Sequence, residues 1–335
     1  MSLLADKVKS HFPGRNVVII GDMVADQFLN GTISRVSREA PVFILRHDAT
    51  ETRPGGAANT AANVASLGGT PILIGLIGDD AAGRLLVDSL ETGGVRCDKI
   101  VVGNRHTTTT KVRVLAGQHY AARQQVIRID YEDQISADQS IKDSLNGSLL
   151  VAGETADAII LSDYGYGVAS GPIFNTALEI ALRRRIPLVV DSRFSLRSFP
   201  GATTATPNQD EVEQILGSDF SEADCDRLRE EIGYEALLVT CGNRGMQLFE
   251  RNKPVVRIDA VGSSEPVDVT GAGDTVIAAY SLGLASNLNH LDAARIANHA
   301  GAIVVMKKGT ATASSSEVVA SLNEFALGRP VESTA

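Results

Sequence analysis

Near the C-terminal end, an acidic residue, a compact glycine turn and a second acidic residue stand together as Asp268-Val-Thr-Gly-Ala-Gly-Asp274. An apolar stretch with no proline and a single glycine follows over residues 275–284, so the turn opens a helix. Gly271 and Gly273 leave backbone N–H groups exposed, and a helix N-terminus adds partial positive charge, which together make an anion hole. A carboxylate beside such a hole is poorly suited to binding an anion itself. It is well placed to take a proton from a hydroxyl that attacks one. The segment reads as a phosphoryl-transfer centre, with Asp274 as base and Gly271, Ala272 and Gly273 cradling the transferred group. The plainer alternative is an ordinary strand–turn–helix corner with Asp as N-cap.

A second glycine segment, Pro54-Gly-Gly-Ala-Ala-Asn59, opens a helix built almost wholly of small residues up to Leu67. Small side chains let a helix N-terminus approach a ligand closely. Asn59, one turn in, either offers its amide to a sugar hydroxyl or sits exposed on a tightly packed helix.

Composition limits the partners. The net charge of −9 excludes a general nucleic-acid or anionic-membrane surface, so an anionic substrate needs a local cationic cluster. Cys97, Cys225 and Cys241 are scattered, with neither a disulfide framework nor zinc-ligand spacing. Residues 1–12 are charged and amphipathic rather than a signal peptide, and no apolar run approaches the ~20 residues of a membrane span. A cytoplasmic protein is expected.

Apolar runs at 16–20, 71–77, 158–161, 187–191 and 236–240 alternate with helical patterns at 57–67, 81–90, 171–184, 211–216 and 222–231. This predicts an α/β fold with a mostly parallel sheet covered on both faces. Ligands of such sheets bind beyond the C-terminal strand ends, where Gly21-Asp22, Ser162-Asp163, Asp191-Ser192 and Thr240 fall. Segments 41–47, 107–115 and 125–131 read instead as half-polar antiparallel strands of a small projecting sheet, and 329–335 as a loose tail. The first strand lacks Gly-x-Gly-x-x-Gly, and neither a Walker sequence nor the protein-kinase signatures occur, which removes those nucleotide chemistries.

The two glycine segments together resemble the signatures of the ribokinase-like (PfkB-type) carbohydrate kinases, an early Gly-Gly-x-x-Asn and a late Asp-x-x-Gly-Ala-Gly-Asp. The match in order and spacing runs over essentially the whole chain and includes Gly21-Asp22-Met-Val-Ala-Asp26, Asn208-Gln-Asp-Glu211 and Thr240-Cys-Gly242-Asn-Arg-Gly245. The resemblance implies a three-layer α/β/α kinase over residues 1–330 with lid segments at about 24–48 and 105–131, leaving 331–335 as a flexible tail. It implies ATP as phosphoryl donor, Mg2+, and a homodimer through the β lid. By the same resemblance Asp26 binds sugar hydroxyls, Gly55, Gly56 and Asn59 complete those contacts, and Asp163 adds to them. Asp22 is either a further contact or a cap for its loop. Asn208 and Glu211 place Mg2+ and phosphate through water, and they also fit a helix capping box; both readings can hold together. The nucleotide then lies across Thr240, Gly242, Gly245 and Asn298, with Arg193 reaching its phosphates. Asp268 and Thr270 resemble a monovalent-cation (K+) site of some relatives.

Further segments, at 34–41, 53–59, 110–115, 126–130, 161–165 and 267–276, resemble one branch of that family. That branch phosphorylates C1 of D-glycero-D-manno-heptose 7-phosphate on the route to ADP-heptose and lipopolysaccharide core. In many bacteria this kinase is fused to a nucleotidyltransferase, and this chain resembles the stand-alone form. It departs from many relatives in carrying Arg38 after Val-Ser and a polar loop over 116–124. Lys111 and Arg113 are two apart on a strand and share a face, Arg128 lies on the paired strand, and Arg38 precedes the first lid strand. Four such cations suit a sugar phosphate; otherwise they are solvated charges guarding strand edges. The other readings are a different sugar kinase, for fructose, ribose or fructose 6-phosphate, and a non-catalytic sugar-binding regulator on the same fold.

Overall fold

Val17 and Ile19 point to one side of the first strand and Val18 and Ile20 to the other, and all four are fully buried. A strand apolar on both faces has to be covered on both. The computed structural model describes residues 2–118, 123–133, 138–263 and 265–328, so the tail and the middle of the 116–124 loop lie outside the described residues. The chain begins α1 (Leu3–His11), β1 (Asn16–Gly21), β2 (Met23–Val36), β3 (Phe43–Gly56), α2 (Ala57–Ser66), β4 (Thr70–Gly78) and α3 (Ala81–Thr92). Next come β5 (Ile100–Gly103), β6 (Thr110–Gly117), β7 (Gln124–Tyr131), α4 (Gln139–Gly153), β8 (Ala158–Asp163), α5 (Gly171–Arg184), β9 (Leu188–Ser192) and β10 (Thr204–Ala205). It ends with α6 (Gln209–Leu216), α7 (Glu222–Glu231), β11 (Ala236–Thr240), β12 (Met246–Glu250), β13 (Val256–Ile258), α8 (Ala272–Ala285), α9 (His290–Val304) and α10 (Ser315–Ala326).

Among the described residues the large sheet runs β13-β12-β11-β10-β9-β8-β1-β4-β5. Every neighbouring pair is parallel except β11–β12 and β12–β13 at one edge. Alternate residues of the same strands feed two separate cores. Val17, Ile19, Ile160 and Leu238 pack with α2, α8 and α9, whereas Val18, Ile20, Leu161 and Leu237 pack with α4, α5 and α7. Helix α8 has no polar face, and all of Asp274–Ala285 is buried. An all-apolar helix belongs at the centre of its layer, and α8 lies between α2 and α9 there.

Strand order reverses at β1, whose neighbours are β4 and β8, so a crevice opens beyond the C-terminal end of β1. One residue past that end the chain enters the small sheet, ordered β3-β2-β6-β7. The expected antiparallel β6–β7 pair is present; segment 41–47 falls in β3, whose antiparallel partner β2 was not among the expected strands, and a parallel β2–β6 pairing joins the two pairs. Gly21 closes β1 against Ser162, and a Cβ there would stand 2.1 Å from the Ser162 carbonyl oxygen. Gly21→Ala is therefore expected to cost about 1–3 kcal/mol, read as a lower urea midpoint. An unchanged midpoint would contradict this account of the crevice.

Candidate active site

Gly271, the N-cap of α8, has φ 78°, the left-handed conformation that glycine adopts without strain. A Cβ at that position would also stand 2.5 Å from Asn59 Nδ2, whereas one at Gly273 would meet nothing within 4 Å. One side of the turn is thus packed and the other open. Asp274 follows, only 3% exposed. Its Oδ1 accepts the Tyr164 hydroxyl at 2.7 Å and its Oδ2 accepts Asn59 Nδ2–H at 2.8 Å. Burial pushes the carboxyl up from 3.8 to about 6, against the opposing pull of those two hydrogen bonds and Arg193. The Arg193 guanidinium lies 4.4 Å from the Tyr164 ring centroid.

Several expected substrate contacts prove to be committed inside the protein. Asn59 gives one N–H to Asp274 and another, at 3.4 Å, to the Gly271 carbonyl, while its Oδ1 accepts from Asn63. Both of its N–H groups and one acceptor position of its oxygen are thus taken up inside the protein. Asp22 is 1% exposed, and its carboxylate accepts the N–H groups of Tyr164, Tyr166 and Val168, each at 2.9 Å. Of its two readings the structure favours the loop cap. Asp163 likewise accepts from Gly165 N at 3.0 Å and Ser192 Oγ at 2.7 Å. Gly55 and Gly56 serve close approach: a Cβ would stand 2.5 Å from Asp26 Oδ2 at the first and 2.6 Å from the Asp22 carbonyl oxygen at the second.

On the lid, Asp26, 4% exposed, forms an ion pair with Arg113. Burial pushes its carboxyl up while Arg113 pulls it down, with the first effect larger. Lys111 Nζ meets the Tyr166 hydroxyl at 2.9 Å, Glu132 at 3.3 Å and Asp130 at 3.6 Å. Arg128 stands opposite Arg113 across β6–β7 and pairs with Asp130 at 2.8 Å. Three of the four expected cations therefore share one face, and Arg53 joins them, its guanidinium and that of Arg113 each 5.4 Å from the Phe28 ring centroid. Arg38 does not join. It is exposed in the turn beyond Val36, roughly 30 Å of extended strand from Asp26.

On the other side of the glycine turn lies an open groove with a cavity volume of about 210 Å³, lined by Thr240, Gly242, Gly245, Ala272, Gly273 and Asn298 among others. Asn298, Gly301, Ala302 and Val305 project into it from one face of α9 at helical spacing. Asn298 Nδ2 also donates to the Asp259 carbonyl at 2.8 Å, holding the loop that forms the far wall. Asn208 and Glu211 form the capping box of α6 and sit beside Thr240 through an isolated bridge. Asp191, which the motif reading left out, is pushed well above its usual range by burial and by the Asp274 and Glu211 charges. Asp268 accepts Thr270 N–H at 2.9 Å and Gly309 N–H at 2.8 Å, which engages both of its oxygens.

The raised carboxyl of Asp274 has a consequence for stability. Its folded value of about 6 lies above the usual 3.8, so the native state holds this proton more tightly than the unfolded chain. The stabilisation is complete below pH about 4 and lost as the pH rises through about 6, a difference of about 3 kcal/mol. Asp274→Asn is expected to raise Tm by roughly 5 °C at pH 8 and to leave it nearly unchanged at pH 4. Equal shifts at both pH values would remove the ionised carboxylate as their cause.

The pfkB family of carbohydrate kinases matches residues 15–317. The chain is 38% identical over 316 residues to the bifunctional protein HldE of Azorhizobium caulinodans, covering 92% of this chain and 65% of that protein. It is 38% identical over 322 residues to HldE of Shewanella loihica, covering 93% and 64%. The chain thus spans just under two thirds of the length of these relatives. In fold it is similar to Arabidopsis thaliana ribokinase complexed with ribose and ATP, with TM-score 0.70 and 20% identity over 92% of this chain and 99% of that one. Phosphofructokinase-2 from Escherichia coli in complex with potassium gives TM-score 0.71 at 19% identity, over 92% and 99%. The chain belongs to the pfkB family of carbohydrate kinases.

Proposed function

We propose that this protein transfers the γ-phosphoryl group of ATP to the anomeric C1 hydroxyl of D-glycero-β-D-manno-heptose 7-phosphate. The product is the 1,7-bisphosphate used for ADP-heptose and lipopolysaccharide core. The observation that carries the kinase reading is the buried Asp274 carboxylate at the mouth of α8, beside a glycine turn that opens on a groove. Asp274 takes the proton of the C1 hydroxyl, the hydroxyl oxygen bonds to the γ-phosphorus, and the bond from that phosphorus to the departing ADP breaks. The Ala272 N–H donates to the Val269 carbonyl at 3.2 Å, so the Gly273 N–H and the positive end of α8 are what meet the charge that develops on the transferred group.

Among the described residues no group of three or more His, Cys, Asp or Glu side chains can hold a metal ion. That suits Mg2+, which keeps waters and phosphate oxygens as ligands, with Glu211 and Asp191 acting through water. Bound Mg2+ would neutralise phosphate charge. A K+ ion beside Asp268 would have to share a carboxylate that already accepts two backbone N–H groups. The heptose 7-phosphate assignment rests on the branch segments quoted above and on the cationic lid face of Lys111, Arg113 and Arg128. Val126, Ile127, Ile129 and Tyr131 of β7 are exposed, and we assign that lid surface to a second copy of the chain. No helix among the described residues is long and apolar enough to cross a membrane, in keeping with work in the cytoplasm.

Asp274→Asn is expected to retain nucleotide binding and to lose ~10²–10⁴-fold in kcat, because an amide cannot accept the proton. Retention of more than about a tenth of wild-type kcat would take the base role from Asp274. Acceptor choice is tested with heptose 7-phosphate, fructose 6-phosphate and ribose. Lys111→Met should raise KM for the phosphorylated acceptor about 10-fold or more, with KM for ATP nearly unchanged, since a charge-assisted bond to phosphate contributes ~1.5–3 kcal/mol. An unaltered preference for the phosphorylated sugar would move the phosphate site away from β6.

A further inference from the structure

Two backbone groups of fixed polarity decide which way a buried amide points in this site. The Ala313 N–H can only donate, and it meets Asn63 Oδ1 at 3.3 Å. The Asn59 carbonyl can only accept, and it meets Asn63 Nδ2 at 3.0 Å. Thr275 Oγ1 donates to the same Asn63 Oδ1 at 2.9 Å. Asn63 therefore has one permitted orientation, set by atoms whose roles need no assumption about amide flips.

That orientation is passed on. Asn63 Nδ2 also reaches Asn59 Oδ1 at 3.2 Å, so Asn59 turns its oxygen to Asn63 and its N–H to Asp274. A flipped Asn59 would set a carbonyl oxygen against a carboxylate and an NH2 group against an NH2 group. Asn63 and Thr275 are both fully buried, so water cannot repair a broken link.

We infer that Asn63 is a positioning residue, the middle member of a buried relay from Ala313 and Thr275 to Asn59 that keeps an N–H donor on the Asp274 carboxylate. Its meaning for turnover rests on the proposal that Asp274 is the base; its geometry does not. The relay also closes a loop between helices: Thr275 follows Asp274 on α8, Asn63 and Asn59 lie on α2, and Ala313 precedes α10. The donor is thus fixed to the same helix that carries the carboxylate.

The test is a carbon-13 titration of the Asp274 carboxyl in full-length protein labelled at aspartate Cγ, its resonance identified by its absence in Asp274→Asn. Asn63→Leu and Asn63→Ala both delete the donor facing Asn59, and the Ala variant suits an already Ala-rich helix should the Leu variant not fold. In either variant the midpoint is expected to rise by about one pH unit, because a hydrogen bond to the charged form is lost. Turnover with heptose 7-phosphate should then fall more at pH 6 than at pH 8, with KM for ATP unchanged within about twofold. A midpoint within about 0.2 units of wild type in both variants would overturn the relay, whatever their thermal stability. Undiminished turnover of Asp274→Asn alongside a shifted midpoint would sink the base assignment and leave the relay standing.

Discussion

An ionised carboxylate almost sealed from water organises this crevice. Removing Asp274 from solvent is unfavourable, and the structure offsets it with one O–H donor, one N–H donor and the positive end of α8. Each donor needs its own support. Tyr164 rides on a loop held by three backbone hydrogen bonds to Asp22, and Asp163 secures the same loop through Gly165. Two carboxylates at strand ends are thereby consumed in holding the partner of a third. The net result is incomplete compensation, and that is useful: a carboxyl left near 6 is a stronger base than one at 3.8 while still ionised at neutral pH.

The same loop reaches the lid. Tyr164 and Tyr166 are two residues apart; the first hydroxyl meets Asp274, and the second accepts from Lys111 and donates to Glu132. The other lid strand is tied to the glycine turn by a separate route, because Arg53 donates to the Lys308 carbonyl at 2.8 Å and Gly309 donates to Asp268. A displacement of the small sheet would therefore pull on both sides of Asp274. On the proposed reading, an acceptor phosphate competes with Asp130 and Glu132 for Lys111, and the outcome is felt at the base through one short, pinned loop.

Periodicity carried five strands of the large sheet, β1, β4, β8, β9 and β11, since a buried parallel strand is a continuous apolar run, and left β5, β10, β12 and β13 unread. Helices α5 and α7 begin and end where their patterns do. The glycine turns were legible because φ > 0 and close approach leave few alternatives. The parallel β2–β6 pairing was not, because strand alternation encodes a face and not a neighbour. Tyr164 escaped for a related reason: nothing in Ser-Asp-Tyr-Gly tells that its hydroxyl meets a carboxylate 110 residues away. Counting cations along the lid gathered Arg38 with the rest, and the 14-residue β2 put it at the far end of the hairpin. For Asn59 and Asp22 residue type left a sugar contact open beside a structural role, and a polar side chain that is 1–2% exposed answers first to its buried neighbours.

On the proposed reading, a chain of net charge −9 handles two anionic substrates and must solve an electrostatic problem locally. It does so by pairing its site cations in advance. Arg113 faces Asp26, Lys111 faces Asp130 and Glu132, and Arg193 lies over Tyr164 among the Asp274, Asp191 and Glu211 charges. Unpaired, such cations would have to be desolvated beside one another; paired, they are held in place at little cost and exchange one anion for another when a phosphate arrives. Exchange rather than first occupation also favours discrimination. A phosphate carries more charge than the carboxylate it displaces, whereas a neutral hydroxyl carries none, so an acceptor without a phosphate gains nothing from opening these pairs.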